Sequence, residues 1–345
     1  MTYVKLSSST RWRRALTFAI LDSVCDLCGG ETVQIFSTRD YRRPLDRVEY
    51  RVKWCHECAF GRLTGKFTPV DVNKFFDIPY YTHGPGHIGG DERLADPENQ
   101  REKTLVTRAI IHLAWRVDGS IHFTPGELGS PNNRTVCDIG TGNGQNLKRL
   151  SDVGFKVVGI EPDPVARAAA LKVAEVFDGT AEALPKAISS QTFDVVLLLH
   201  VLDACIDFKS AISNVRSILS RTGTVVIEVP NCAAKGFQLY GPEWPWTDVP
   251  RHHNFFTEKS LRLALEACGL SVSKVYYLGY TRQFTPFWKA TQTKIHKEIG
   301  NANSRRRRPA VLWLAQTVFC SRAAKYDSIR VHAVQKASNT NPHIE

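Results

Sequence analysis

The chain has 345 residues, 43% of them apolar and 23% charged, with 45 Lys and Arg against 34 Asp and Glu for a formal net charge of +11. That length predicts about two folding units of ordinary globular composition, and no stretch reaches the roughly 20 apolar residues that a membrane span requires. Two basic runs, Arg11, Arg13 and Arg14 near one end and Arg305 to Arg308 near the other, carry part of the excess charge. The charge is therefore not spread over one binding face, which weakens the case for a polyanion partner such as RNA.

In chain order, Arg11-Trp12-Arg13-Arg14 precedes a short apolar run from Ala15 to Leu21. Asp22 ends the run and no small-x-small cleavage site follows, so an amphipathic first helix is expected rather than a secretion signal. Residues 22–75 are turn-rich and carry Cys25-x-x-Cys28 and Cys55-x-x-Cys58. Each pair forms a knuckle that puts two thiolates on one ion, and two knuckles complete a tetrahedral, closed and therefore structural site. Zinc is the expected metal, iron takes the same ligands, and His56 within the second knuckle is expected to face water. Of the nine cysteines the other five, Cys137, Cys205, Cys232, Cys268 and Cys320, stand alone. This usage fits a zinc-ribbon-like domain in a reducing, cytoplasmic setting rather than a disulfide framework.

Residues 76–132 read as a connector, Gly-, Pro- and His-rich from His83 to Gly90, with one helical pattern from Glu102 to Trp115. Residues 133–336 then alternate between strand and helix patterns. Strands are predicted at Thr135 to Ile139, Phe155 to Ile160, Phe193 to Leu199 and Thr224 to Val229. Helices are predicted at Gly144 to Val153, Pro164 to Val176, Asp207 to Leu219 and Thr257 to Cys268. The near-continuous apolar strands suit burial on both faces, and the alternation predicts an α/β fold with a doubly wound, mainly parallel seven-stranded sheet. A helical insertion is expected over 285–325, before a last strand from Ser328 to Val334, with a disordered tail at 337–345.

The first of these strands runs into Gly140-x-Gly142-x-Gly144, where the backbone must turn sharply and approach a ligand closely. Gln145 stands where a dinucleotide fingerprint has its third glycine, and no Gly-Lys-Ser/Thr follows to make a P-loop. Asp138 would repel a pyrophosphate but suits a ligand carrying an ammonium and a sulfonium. Glu161 ends the second strand, where a carboxylate accepts hydrogen bonds from ribose hydroxyls.

These residues resemble the class I S-adenosylmethionine-dependent methyltransferases. Asp138 to Gly144, including Thr141, matches that family's first motif, and Glu161-Pro162-Asp163 resembles its acidic second one. The stretch Gly179 to Pro185 resembles the segment beside the adenine. The resemblance thus implies cofactor contacts from Asp138, Gly140, Thr141, Gly142, Gly144, Glu161, Pro162, Asp163, Ala181, Glu182 and His200. The Glu-His that usually follows Leu202 is here Asp203-Ala204, so no role is transferred to it. An N-terminal ribbon before such a domain is similar to sugar C-methyltransferases and to enzymes of glycan or small-metabolite pathways.

After the fifth strand comes an aromatic loop, Tyr240 to Trp246, leading to Asp248-Val249-Pro250-Arg251-His252-His253. It leaves the carboxyl edge of the sheet and is expected to cover a methyl acceptor, with Trp244 and Trp246 lining the pocket. His252 or His253 is the expected base for an acceptor hydroxyl, with His200 third. The Asn/Asp-Pro-Pro-aromatic motif of exocyclic-amine methylation is absent, and Cys205 beside Asp203 and Asp207 does not suit nucleophilic chemistry. The acceptor expected is a small molecule or a glycan, methylated on oxygen or carbon, with RNA second and DNA excluded. A non-catalytic binding protein on a methyltransferase scaffold is the reading from another class. Arg305 to Arg308 before the apolar segment Pro309 to Phe319 allows peripheral contact of 305–320 with anionic lipid, or a buried helix.

Overall fold

The computed structural model describes residues 24–77, 123–300 and 308–336, with isolated positions at 105, 109, 112, 113 and 304. The run from Arg11 to Leu21, His83 to Gly90, most of Glu102 to Trp115, Arg305 to Arg307 and the tail 337–345 lie outside the described residues.

The N-terminal part is an antiparallel sheet of β1 (Thr32–Thr38), β2 (Tyr50–Cys55) and β3 (Phe60–Leu63), followed by α1 (Pro69–Phe76). The first cysteine pair precedes β1, while the second occupies the turn from β2 to β3, so the hairpin brings the two knuckles together.

The larger sheet begins with β4 (Thr135–Ile139), followed by α2 (Gln145–Asp152), β5 (Lys156–Ile160), α3 (Pro164–Ala170) and β6 (Glu175–Phe177). The single helix predicted from Pro164 to Val176 is thus shorter. Asp163 caps it by accepting from the Ala166 N–H at 2.7 Å, but past Ala170 the chain turns and Val176 and Phe177 pair with β5. Tertiary pairing overrides the helical preference of the alanines there. The chain continues through α4 (Lys186–Ser189), β7 (Phe193–Leu199), α5 (Phe208–Ser217), β8 (Leu219–Pro230) and α6 (Lys235–Tyr240). It ends with the short β9 (Asn254–Phe255), α7 (Glu258–Ala267), β10 (Leu270–Leu278), α8 (Pro286–Ile299), α9 (Ala310–Thr317), α10 (Arg322–Lys325) and β11 (Ser328–Gln335).

The seven strands run in the order β10-β11-β8-β7-β4-β5-β6, parallel except for β11, which is antiparallel to both neighbours. The fold is α/β, doubly wound and mainly parallel. Chain direction across the sheet reverses between β4 and β7, the switch point at which such sheets bind ligands beyond their carboxyl ends.

The two sheets are not independent. β9 pairs with β3, not with the larger sheet, so the small sheet has the order β1-β2-β3-β9. Phe60 of β3 packs 5.3 Å from Phe208 and 5.1 Å from Phe256, joining the cysteine-bearing part to the main core.

Candidate functional site

One cavity of about 750 Å³ opens at the carboxyl ends of β4, β5, β7 and β8. Its first half is built on the glycine turn. Gly140 and Gly144 sit at φ of 71° and 84°, where a side chain is disfavoured. A Cβ on Gly140 would meet Val201 at 2.5 Å, and one on Gly144 would meet Ala170 at 2.9 Å. Gly140 thus lies under the cavity floor. Gly144 does not reach the cavity, a correction to its expected cofactor contact: its missing side chain lets α2 pack against α3.

Asp138 ends β4 almost wholly buried, its Oδ2 accepting from Thr141 Oγ1 at 3.0 Å. Glu161 follows β5 and bridges the two motifs. It accepts from the Gly142 N–H at 2.7 Å and from the Asp163 N–H at 2.9 Å. Burial pushes both carboxyls up to about 7, and for Asp138 the charge of Glu161 adds to the effect. Two buried carboxyls in one cavity, each raised by burial, favour a ligand that brings positive charge and hydroxyl donors. An ammonium, a sulfonium and ribose hydroxyls are such groups, so the residues present fit S-adenosylmethionine.

Pro162, Asp163, Ala181 and Glu182 also line this half, although Asp163 uses one carboxylate oxygen as a helix cap. Glu182 accepts from the Asp207 N–H at 2.6 Å, and Asn214 donates to the carbonyls of Ala181 and Glu182. These bonds hold the loop at the cavity wall.

The other half lies under the aromatic loop. Trp246 lines it together with Phe287, Trp288, Arg282 and Thr285. Trp244 does not: it is fully buried against Phe237, 5.8 Å between ring centroids. The two histidines also part company. His252 lines the cavity, with Nδ1 2.8 Å from the Trp246 carbonyl and Nε2 3.1 Å from Asp203 Oδ2. His253 points away, its ring edge-on to Phe67 at 4.8 Å, and burial drives its pKa down to about 3. His253 therefore does not line the cavity: its ring packs on Phe67 of the N-terminal part while its carbonyl accepts from the Leu63 N–H. His200 sits at the end of β7, stacked on Trp246, with Nε2 3.2 Å from Glu228 Oε1.

Several lining residues carry no motif. Tyr41, Arg42, Val72 and Phe76 bring the N-terminal part into the cavity wall. Glu228 and Arg330 come from inside the strands β8 and β11, and a charge within the apolar stretch of each was the available signal. Arg251, fully buried, bonds Asp40 at 2.6 Å and Asp248 at 2.9 Å, and Arg42 lies 3.2 Å from Asp248. These ion pairs fasten the acceptor loop to the small sheet. Cys205 lines the cavity as a thiol held well above its usual range, chiefly by burial and then by Glu182 and Asp203.

Away from the cavity, the thiols of Cys25, Cys28, Cys55 and Cys58 lie within 4.8 Å of one another. The pairs Cys25–Cys58 and Cys28–Cys55 are 3.6 and 3.5 Å apart, close to the edge of about 3.8 Å that a tetrahedron of ~2.3 Å zinc–sulfur bonds requires. The Leu27 N–H donates to Cys25 Sγ at 3.4 Å, as a knuckle does. His56 is exposed.

Comparison with known proteins agrees with this site. The methyltransferase domain family matches residues 112–275. Residues 112–275 are thus similar to a methyltransferase domain. It is 28% identical over 169 residues to a ubiquinone biosynthesis O-methyltransferase of Rhodopseudomonas palustris (strain BisA53), a match spanning 45% of this chain and 66% of that relative. Among solved structures, an S-adenosylmethionine-dependent methyltransferase from Archaeoglobus fulgidus is 14% identical, with a TM-score of 0.41. That match covers 66% of this chain and 93% of the other. The 1,6-didemethyltoxoflavin-N1-methyltransferase of Burkholderia thailandensis is 12% identical, with a TM-score of 0.41 over 85% of this chain and 97% of that one. In this chain the motif residues Asp138 to Gly142 and Glu161 line one end of the cavity and Trp246 of the aromatic loop lines the other.

Proposed function

We propose that the protein methylates a hydroxyl of a small molecule, with S-adenosylmethionine as methyl donor. The observation that carries this reading is the single cavity that joins the carboxylate pair Asp138 and Glu161 to the aromatic loop. Its volume of about 750 Å³ is in the range of small-molecule sites and leaves room for two ligands end to end. S-adenosylmethionine supplies an electrophilic methyl group on a sulfonium. Asp138 would hold the ammonium side of that ligand, Glu161 its ribose hydroxyls, and Ala181 and Glu182 the edge of its adenine. Trp246 and Trp288 would hold the acceptor and exclude water from it. The O-methyltransferase relative supports oxygen as the methylated atom.

We further propose one structural zinc ion on Cys25, Cys28, Cys55 and Cys58, on the strength of the sulfur separations above. A lipid-linked glycan is the second acceptor reading. It is favoured by Val311, Leu312 and Phe319, exposed in and after α9 next to the arginine run. Among the described residues no helix is long and apolar enough to cross a membrane.

The test is transfer of a radiolabelled methyl group to panels of small hydroxylated compounds, glycolipids and RNA. Label in a small hydroxylated compound is expected. Salt-sensitive labelling of RNA alone would replace the reading, and no labelling of any panel would contradict it.

A further inference from the structure

Two polar atoms on cavity-lining side chains are buried without a hydrogen-bond partner among the described residues, Nδ1 of His200 and Nε1 of Trp246. They belong to rings stacked face to face, with centroids 4.7 Å apart and planes 11° from parallel. An unmade hydrogen bond in a protein interior costs about 1–3 kcal/mol, so a pair of them in one cavity points to a ligand that satisfies both.

The chemistry of the pair is defined by its surroundings. Glu228 Oε1 is an acceptor, so the facing His200 Nε2 carries the hydrogen and Nδ1 of the neutral ring keeps its lone pair. Glu228 is itself fixed: Arg330 donates to its Oε2 from Nε at 2.9 Å and Nη2 at 2.7 Å, and Glu127 holds Arg330 from the other side. The His200 backbone has φ of 58°, a left-handed conformation that a non-glycine residue keeps only when its surroundings impose it. Trp246 Nε1 can only donate. The Trp246 faces are covered by His200 and by the Arg282 guanidinium, 5.0 Å from the ring centroid, so the indole offers a ligand its N–H edge. His252, by contrast, faces acceptors at both nitrogens, the Trp246 carbonyl and Asp203.

We infer that His200, oriented by Glu228, takes the proton of a phenolic or enolic acceptor hydroxyl, and that Trp246 Nε1–H binds the oxygen of the same planar acceptor. This inference rests on the methyl-transfer reading and adds the acceptor class and the base. Atoms and electrons balance as follows. The acceptor oxygen bonds to the methyl carbon as the carbon–sulfur bond breaks, with its electron pair going to sulfur. The acceptor proton moves to His200 Nδ1 and then to solvent. A phenolic hydroxyl titrates near 10, within reach of an imidazole, whereas an alkyl hydroxyl lies many units higher. The flat walls agree: Trp288 stands 6.0 Å from Trp246 at 64°, with Phe287 beside it on the cavity wall. Burial opposes a charge on His200, but its bond to Glu228 and the charges of Glu228 and Asp203 outweigh burial and the opposing Arg282, raising it above its usual 6.5.

The test is absorbance titration of 4-nitrocatechol into full-length protein saturated with S-adenosylhomocysteine, across pH. The charged groups facing His200 are Glu228, Asp203, Arg282 and, through Glu228, Arg330. Wild type is expected to bind the probe ionised at a pH where it is neutral in buffer. H200Q should bind it neutral, E228Q should shift the pH at which the bound probe ionises, and W246F should bind it about 10-fold more weakly with ionisation retained. S-adenosylhomocysteine binding, measured by calorimetry, should stay saturable in all three variants, unchanged in W246F and weaker in H200Q in so far as His200 also touches that ligand, and shows that they fold. With that binding intact, equal ionisation in wild type and H200Q, or no saturable probe binding by wild type, overturns the inference alone. Failure of wild type to bind S-adenosylhomocysteine overturns the methyl-transfer reading and this inference together.

Discussion

Leu63 donates its backbone N–H to the carbonyl of His253 at 2.9 Å, joining β3 of the cysteine-bearing sheet to the acceptor loop. The residues on either side strengthen the seam. Arg62 bonds the Asn254 side chain and the Ile206 carbonyl, and Asn254 donates to the carbonyls of Leu202 and Cys205. The loop carrying His252 and the turn carrying His200 are thus built against the small sheet. The N-terminal part is a wall of the cavity rather than an appendage.

Metal removal should therefore be felt in the acceptor loop. Purified protein is expected to hold one zinc per chain by elemental analysis. Chelation, or Cys55→Ser, should raise hydrogen exchange in residues 250–256 while leaving β4 and β5 protected. Unchanged exchange in that loop after complete zinc loss would sink the coupling.

Arg251 is fully buried between Asp40 and Asp248. Arg251→Met removes the cation and leaves two buried carboxylates behind. The expected loss is about 3–5 kcal/mol, read from urea or guanidinium unfolding. A loss under about 1 kcal/mol would mean that the network is not closed in solution.

Asp138 and Glu161, both raised by burial to about 7, give stability a definite pH dependence. In the folded protein they hold protons that the unfolded chain, titrating near 4, has already lost. Ligand-free stability is therefore full below about 4 on their account and falls as pH rises through about 7. A ligand ammonium favours the ionised carboxylate, so affinity for S-adenosylhomocysteine, which keeps that ammonium though it lacks the sulfonium, should rise over the same range. Thermal shifts with and without ligand from pH 5 to 8 check both trends, and a flat ligand-induced shift would contradict them.

The two outer glycines of the turn should separate by readout. Gly140→Ala drives a methyl group into Val201 and distorts the turn that carries Asp138 and Thr141, so ligand affinity should fall more than stability. Gly144→Ala strains φ 84° and pushes α2 off Ala170, with stability falling about 1–3 kcal/mol and affinity following only secondarily. Calorimetry and denaturation on the same two variants decide the matter.

Much of this was readable from sequence because each part depends on local pattern. The strands Thr135 to Ile139 and Phe193 to Leu199 are mostly apolar runs, and Asp138, the glycines and Glu161 follow one another at the spacing of the motifs. The cysteine pairs likewise advertise their geometry. What was hidden depends on tertiary placement. His252 and His253 are adjacent and chemically alike, and only tertiary contacts turn one into the cavity and the other onto Phe67. Trp244 and Trp246 divide for the same kind of reason. His200 ranked third because its neighbours in sequence say nothing of Glu228, which reaches it from the next strand.

The central claim is that Asp138 and its glycine turn hold S-adenosylmethionine, and calorimetric titration of zinc-loaded wild type and Asp138→Ala tests it most directly. Saturable one-to-one binding by wild type, weakened at least 10-fold in the variant, is the predicted result. No binding by folded wild type, or equal binding by both proteins, would contradict the claim.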